Sequence, residues 1–133
     1  MSGLSQVESS RAPAAIGPYS QAVRVGEWVF VSGQIPLDPT TGMLVEGDLS
    51  RQMERVLENI GAILASAGSG FEQVVKSTLY LVDMNDFTTV NEVYARCFKP
   101  PYPARATVGV AALPKGARVE MDVVAHIQYE SAG

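Results

Sequence analysis

Two short runs of β-branched and aromatic residues, 22–25 and 28–31, give the first clear pattern along the chain. Runs of this composition predict β-strands. Gly26-Glu27 separates them, and a two-residue connection that begins with glycine is typical of a type II′ hairpin turn. The chain therefore begins its folded part with an antiparallel pair of strands.

The clearest helical pattern follows a turn-rich stretch at 36–47. Asp48 is a suitable N-cap, and Gly68 is a suitable left-handed residue at the other end. Between them, apolar residues recur at the spacing of one helix face. These residues are Leu49, Met53, Val56, Leu57, Ile60, Leu64 and Ala67. The pattern predicts an amphipathic helix between the two caps.

The rest of the chain predicts one more helix among three strands. Residues 74–82 form a strand-like run, and Asp83 or Asn85 can cap a helix that Pro100-Pro101 ends. The apolar stripe of this helix is Phe87, Val90, Tyr94, Cys97 and Phe98. Residues 105–111 and 118–129 complete the order ββαβαββ. This order predicts a two-layer α+β fold with both helices on one face of the sheet.

Side-chain alternation in the last two strands suggests where polar groups meet. In 118–129 the apolar set should face the helices, so Glu120 points the other way. In 105–111 the apolar set is Ala106, Val108 and Val110, and Arg105 points away from it. We therefore expect Arg105 and Glu120 on the same helix-free face of the sheet.

The second strand has apolar residues on both faces, with Trp28 and Phe30 on one and Val29 and Val31 on the other. Two-sided apolar strands are covered on both sides. Two helices on one face leave the other face bare. A partner subunit in a closed cyclic assembly is the simplest cover.

Composition narrows the function classes. The chain has 133 residues, 47% of them hydrophobic, and a formal net charge of −4. This size suits one domain, and the acidic balance disfavours nucleic-acid binding. One cysteine excludes an intrachain disulfide and fits a cytoplasmic location. No segment has the apolar length of a membrane span.

Arg105 and Glu120 are the main candidates for chemistry. A guanidinium binds a carboxylate through two parallel hydrogen bonds, and a desolvated carboxylate can move protons. A structural ion pair between neighbouring strands explains the same spacing, and spacing alone favours that explanation.

Other polar residues carry weaker signals. The N–H of Gly33, beside Ser32, can bind an anionic atom, and Tyr19 can line a pocket; a turn glycine and a packing tyrosine are the structural alternatives. His126 is the only histidine, which argues against Ser-His-Asp and Cys-His catalysis and against a typical zinc site. We expect His126 at a rim and Cys97 in the core.

Four motifs in order make the pattern more specific. They are 14–22 (AAIGPYSQA), 31–36 (VSGQIP), 85–94 (NDFTTVNEVY) and 103–108 (PARATV), the last followed by 113–116 (LPKG) and 119–121 (VEM). With these motifs the chain resembles the RidA (YjgF) family of reactive intermediate deaminases, its archetypal subgroup in particular. The resemblance runs from about residue 12 to 127.

The chain length predicts a single domain over 1–133, and the small, polar start predicts a loose tail at 1–11. The resemblance covers nearly all of this domain. It also implies a chorismate-mutase-like α+β fold, and a homotrimer with a central barrel and clefts between subunits. The implied activity is hydrolysis of 2-iminobutanoate and 2-iminopropanoate to 2-oxo acids and ammonia, without a cofactor or metal. The implied partners are this small imino or 2-oxo acid and two further copies of the chain.

Residue roles also follow from the resemblance. Arg105 matches the carboxylate clamp, and Glu120 matches the group that orients water and shuttles protons. The residues matching positions that line the cleft or bind substrate are Tyr19, Ser32, Gly33, Asn91 and Thr107. Thr107 departs from a position that is often cysteine in the family, so thiol-based regulation there is not expected.

Three other functions stay open at this point. A non-catalytic ligand-binding or regulatory trimer would use the same cleft, although retention of Arg105 and Glu120 argues against it. A ribonuclease or translation inhibitor is disfavoured by the acidic balance. A redox-activated holdase is neither supported nor excluded by Thr107.

Overall fold

A computed structural model describes residues 3–127. Within them the chain forms a six-stranded mixed sheet and two α-helices. In chain order these are β1 (Leu4–Val7), β2 (Ala22–Val25), β3 (Trp28–Gln34), α1 (Leu49–Ser66), β4 (Val74–Leu81), α2 (Phe87–Ala95), β5 (Ala104–Gly109) and β6 (Val119–His126). The strand order across the sheet is β1-β2-β3-β6-β4-β5. The predicted α+β class is confirmed.

One pair of neighbouring strands is parallel and the others are antiparallel. β4 and β5 run in the same direction because α2 lies in the connection between them. β6 is inserted between β3 and β4. The helices pack on one face of the sheet, with α1 against β3, β6 and α2. We call the other side of the sheet the open face.

The predicted ends of α1 are confirmed. The side chain of Asp48 accepts a hydrogen bond from the backbone N–H of Arg51, and Gly68 has φ 77° just beyond the helix. The core-facing stripe is fully buried, with Met53, Val56 and Ile60 at 0% exposure. The hairpin turn is also confirmed, since Gly26 has φ 56° between the paired strands β2 and β3.

The prediction of a loose tail over 1–11 is wrong for residues 4–7, and residues 1–2 lie outside the described part. Leu4–Val7 pairs antiparallel with β2 and forms an edge of the sheet. Beyond it, the buried Gln21 side chain accepts from the Ser9 N–H at 2.6 Å and donates to the Pro13 carbonyl at 2.8 Å. A four-residue edge strand held by backbone bonds leaves almost no hydrophobic pattern, so periodicity did not reveal it.

Buried and half-buried side chains alternate along β6, as predicted. Val119, Met121, Val123 and Ala125 are buried on the helix side, and the residues between them are half-buried on the open face. The predicted continuation of this strand to Tyr129 falls partly outside the described residues.

The predicted facing of β5 is wrong. Arg105 is in register with Ser77 of β4, which is completely buried beneath α2, so Arg105 lies on the helix side. Ala106 and Val108 lie on the open face instead. The prediction assumed that the apolar set of every strand faces the helices. That assumption fails because the open face of this sheet also carries apolar residues, in β2, β3 and β5.

The open face carries a large uncovered apolar surface, which we call the open-face patch. Pairing places Val25 beside Trp28 and Val23 beside Phe30 on this side. Trp28 and Phe30 are each 45% exposed. The exposed members of the patch are Leu4, Val25, Trp28 and Phe30 on β1 to β3. Val108 is exposed on the same face of β5, beyond β6 and β4. Clustered exposed apolar side chains of this kind mark an interaction face.

Candidate active site

The guanidinium of Arg105 lies between β5 and α2. Its Nη1 donates a hydrogen bond to Oδ1 of Asn91 at 2.7 Å. Its central carbon lies 4.8 Å from the ring centroid of Tyr94 and 5.4 Å from that of Phe87. Phe87, Asn91 and Tyr94 are spaced at i, i+4 and i+7, so one side of α2 presents all three to the arginine. We call this group the arginine half-site.

All of these partners of Arg105 are neutral. Among residues 3–127, no carboxylate lies within ion-pair distance of Arg105, whereas Arg51, Arg55, Arg96 and Arg118 each pair with one. A guanidinium has five N–H donors in a planar fork. The guanidinium donates one hydrogen bond to the Asn91 amide and otherwise contacts two aromatic rings, so most of its N–H groups are left for an anion. The arrangement suits a planar carboxylate or similar group.

Glu120 lies on the open face against an irregular part of β3. The register of β3 against β6 shifts between Val31 and Gln34, so residues 32 and 33 form a bulge there. A Cβ atom built on Gly33 would overlap Oε2 of Glu120. The carboxylate can approach this backbone only because position 33 has no side chain. Gly33 is therefore needed for the close approach of the Glu120 carboxylate, and not only for the turn of the backbone.

Burial raises the pKa of the Glu120 carboxyl, and the nearby Asp122 charge raises it further. Both causes disfavour the ionised form. Asp122 is itself held by a 2.8 Å hydrogen bond from the hydroxyl of Tyr80. A carboxyl whose pKa is moved toward neutrality is suited to both accepting and donating a proton.

A cleft of about 850 Å³ opens beside Glu120. Tyr19, Ser32 and Gly33 line it together with Glu120. The hydroxyl of Ser32 donates to the carbonyl of Ser20 at 2.6 Å, which ties the loop carrying Tyr19 to the end of β3. We call this cleft the glutamate half-site.

The two half-sites are separate within one chain. Arg105 and Asn91 do not line the cleft beside Glu120. Arg105 lies on the helix side of the sheet, and Glu120 is in register with Tyr80 on the open face. The prediction that both point to the same face is therefore wrong. Thr107 follows Arg105 on the helix side and is half-buried.

His126 and Cys97 lie away from both half-sites. His126 is half-buried at the end of β6, where its ring meets Trp28 edge-on at 6.5 Å. Cys97 packs against the core beyond α2, and burial raises the pKa of its thiol, which makes it a poor nucleophile at neutral pH.

The part of the chain that the structure describes contains no cluster of three or more His, Cys, Asp or Glu side chains placed to hold a metal ion. Neither α1 nor α2, the helices of residues 3–127, has the length and apolarity needed to cross a membrane.

Sequence reasoning did not identify Tyr94 or Phe87 as neighbours of the arginine. Both were assigned to an apolar core stripe, which is correct for Tyr94, a buried residue. The available signal was their spacing relative to Asn91 on one helix side. Gln21 was also missed as the residue that holds the segment next to the cleft.

Comparisons with a family model, with sequences and with solved structures all match this chain over most of its length. The Endoribonuclease L-PSP family model matches residues 9–127. Protein DfrA of Myxococcus xanthus is 55% identical over 90% of this chain and 92% of its own length. The human 2-iminobutanoate/2-iminopropanoate deaminase is 51% identical over 90% of this chain and 87% of its own. The crystal structure of RidA from an Antarctic Psychrobacter superimposes with a TM-score of 0.88 at 48% identity, covering 92% of this chain and 99% of that one.

The raised pKa of Glu120 predicts a pH-dependent stability effect. Because the folded pKa lies above the unfolded value, Glu120 costs stability once the pH rises through the folded pKa. We expect Glu120→Gln to be more stable than the parent at neutral pH. The difference should shrink as the pH falls below the ordinary value of 4.5, where Glu120 is protonated in both states.

Urea unfolding at one protein concentration over a pH series measures this difference. Glu92→Gln, on the exposed side of α2, is the control for the loss of one negative charge. A Glu120→Gln protein that is less stable than the parent at neutral pH would contradict the assignment.

Proposed function

Because the chain belongs to the Endoribonuclease L-PSP family, also called RidA or YjgF, we propose that it hydrolyses reactive imino acids to 2-oxo acids and ammonia. The relatives named 2-iminobutanoate/2-iminopropanoate deaminase, at about half identity over most of the chain, support this activity. The observation that carries the proposal is the guanidinium of Arg105, whose partners among residues 3–127 are neutral and which is open to a carboxylate.

We further propose that the active site is completed between copies of the chain. The arginine half-site and the glutamate half-site lie on opposite faces of one sheet. A substrate with a few carbon atoms cannot contact both through the sheet. The open-face patch supplies the surface for association, and a closed ring of three copies brings the arginine of one to the glutamate of the next.

The chemistry needs only water and proton movements. Arg105 holds the carboxylate, which fixes the neighbouring C=N carbon in the cleft. The reaction starts from the imine in its protonated form. Water attacks the carbon as ionised Glu120 takes one proton, which gives a tetrahedral intermediate with one hydroxyl and one amino group. Glu120 returns that proton to the amino nitrogen, the C–N bond breaks and ammonia leaves. The C=O bond forms as the hydroxyl group gives its proton to Glu120, which releases it to water. One water is consumed and no electrons are transferred to or from the protein.

RNA cleavage, which the family name Endoribonuclease L-PSP suggests, fits this chain less well. The formal net charge is −4, and RNA-binding surfaces require clustered positive charge. Four of the arginines in the described residues are neutralised by carboxylates. The cleft beside Glu120 is lined mostly by uncharged residues, which suits a compact acid better than a polyanion.

Replacing Arg105 should remove most of the activity. Arg105→Ala loses two charge-assisted hydrogen bonds worth about 1.5–3 kcal/mol each, so kcat/KM should fall by about 10²–10⁴-fold. A pyridoxal-phosphate-dependent dehydratase generates the imine in situ, and 2-oxo acid release is followed with and without this protein. Arg105→Lys keeps the charge but not the planar fork, and should be intermediate.

Arg96→Ala is the matched control, because Arg96 is exposed and pairs with Glu54 at 3.7 Å, outside both half-sites. It should retain parental activity. An unchanged rate for Arg105→Ala would refute the assigned role of the arginine, and no acceleration by the parent protein would refute the function.

Disrupting the open-face patch should abolish both assembly and activity. Phe30→Glu places a charge in the patch at a side chain that a single chain leaves 45% exposed, so the chain should still fold. We expect its mass by light scattering to fall to that of one copy and its deaminase rate to fall to the uncatalysed level. Met43→Glu, at an exposed loop residue outside the patch, is the control. Full activity in a Phe30→Glu monomer would contradict the shared site.

A further inference from the structure

Tyr94 is buried directly beneath the guanidinium of Arg105. Its side chain is 5% exposed, and its ring lies 4.8 Å from the central guanidinium carbon. Its other neighbour is Phe98, stacked on it at 4.3 Å with an interplanar angle of 25°. The Tyr94 ring therefore packs against the guanidinium on one side, and its stacking on Phe98 holds the ring in the core.

A residue of the sheet, Ser77, also holds the Tyr94 ring in place. Ser77 of β4 is completely buried, and its hydroxyl lies 2.7 Å from the hydroxyl of Tyr94. Ser77 is also the residue in register with Arg105 on the neighbouring strand. Contacts thus link three elements in sequence: Ser77 of β4 is hydrogen-bonded to Tyr94 of α2, and the Tyr94 ring contacts Arg105 of β5.

Packing alone does not require the two hydroxyl groups. A phenylalanine ring would fill nearly the same volume at position 94, and an alanine would leave little space at position 77. Buried hydroxyl groups cost free energy unless they bond to each other, so this pair contributes a directional constraint rather than extra hydrophobic burial. The constraint fixes the position of the tyrosine ring relative to the strand that lies beside Arg105.

Arg105 needs such a constraint because of its place in the fold. It lies on the edge strand β5 with an exposed side chain. A free arginine side chain samples many rotamers, and ordering it on binding costs entropy. Asn91 fixes one N–H group by a hydrogen bond. If the Tyr94 ring cannot move, the plane of the Arg105 guanidinium is also fixed. That plane determines how the substrate carboxylate, and the carbon next to it, are oriented toward the attacking water.

We propose that Tyr94, anchored by Ser77, is a positioning residue that sets the plane of the Arg105 guanidinium before substrate arrives. The inference rests on the proposed deaminase function. Tyr94 does not touch the substrate; it acts through the arginine. The Ser77–Tyr94 hydrogen bond therefore belongs to the catalytic apparatus although both residues lie in the core.

Two conservative variants test the hydrogen bond from its two ends. Tyr94→Phe keeps the ring and removes one hydroxyl, and Ser77→Ala removes the other. We expect each to lower kcat/KM for 2-iminobutanoate by about three- to tenfold, the range for loss of one buried hydrogen bond. Because they break the same bond, the double variant should lose no more than the worse single variant.

A second readout separates positioning from folding. The side-chain Nε–Hε NMR signal of Arg105, assigned by its loss in Arg105→Lys, should shift in both variants because the ring beneath it moves. Phe71→Leu is the control. Phe71 packs edge-on against Phe98 at 5.3 Å and does not contact Arg105, so this variant should leave the signal in place.

The outcomes are distinct. Parental kcat/KM with an unshifted Arg105 signal in both Tyr94→Phe and Ser77→Ala overturns the positioning role. So does a double variant whose loss is the product of the two single losses. If the parent protein accelerates no imine hydrolysis, the deaminase proposal fails, and the Arg105 signal alone then decides whether Tyr94 positions the arginine.

Discussion

The rest of the structure depends on one constraint: both faces of the sheet carry apolar residues, but helices cover only one face. The helix side buries the alternating residues of β6 and the stripe of α1. The open face leaves Trp28 and Phe30 in solvent. Exposed apolar area of this size is costly in water. A second copy of the chain relieves that cost and, in the proposed assembly, also brings the two half-sites together.

Keeping the half-sites apart has an electrostatic consequence. An arginine beside Glu120 would favour the carboxylate and lower its pKa. In this chain the two groups lie on opposite sides of the sheet, and burial together with Asp122 raises the pKa of Glu120. Arg105 likewise meets no carboxylate among the described residues and keeps its donors open. Within one chain, therefore, neither group neutralises the other.

The parts of the fold that sequence predicted are those with strong local signals. Asp48, the helical stripe and Gly68 define α1, and strict alternation identifies the buried side of β6. The facing of β5 was wrong because alternation separates two sets of side chains without saying which set faces the helices. The edge strand at residues 4–7 was missed because backbone pairing, rather than hydrophobic pattern, holds it.

The candidate site was predictable in its residues but not in its arrangement. Arg105, Glu120, Gly33 and Asn91 could be named from motifs. Their division into two half-sites depends on the parallel register between β4 and β5, which no local pattern encodes. The support from Tyr94 and Ser77 depends on the same register.

Mixing two inactive variants tests the shared site most directly. Arg105→Ala and Glu120→Gln should each be inactive alone, and each is unfolded and refolded separately as a control. Refolded together in equal amounts, they should recover about one quarter of the parental activity, because in a ring of randomly mixed copies that fraction of interfaces joins an intact arginine to an intact glutamate. Activity that stays at the level of the separate variants, in rings shown to contain both, would contradict an active site shared between copies.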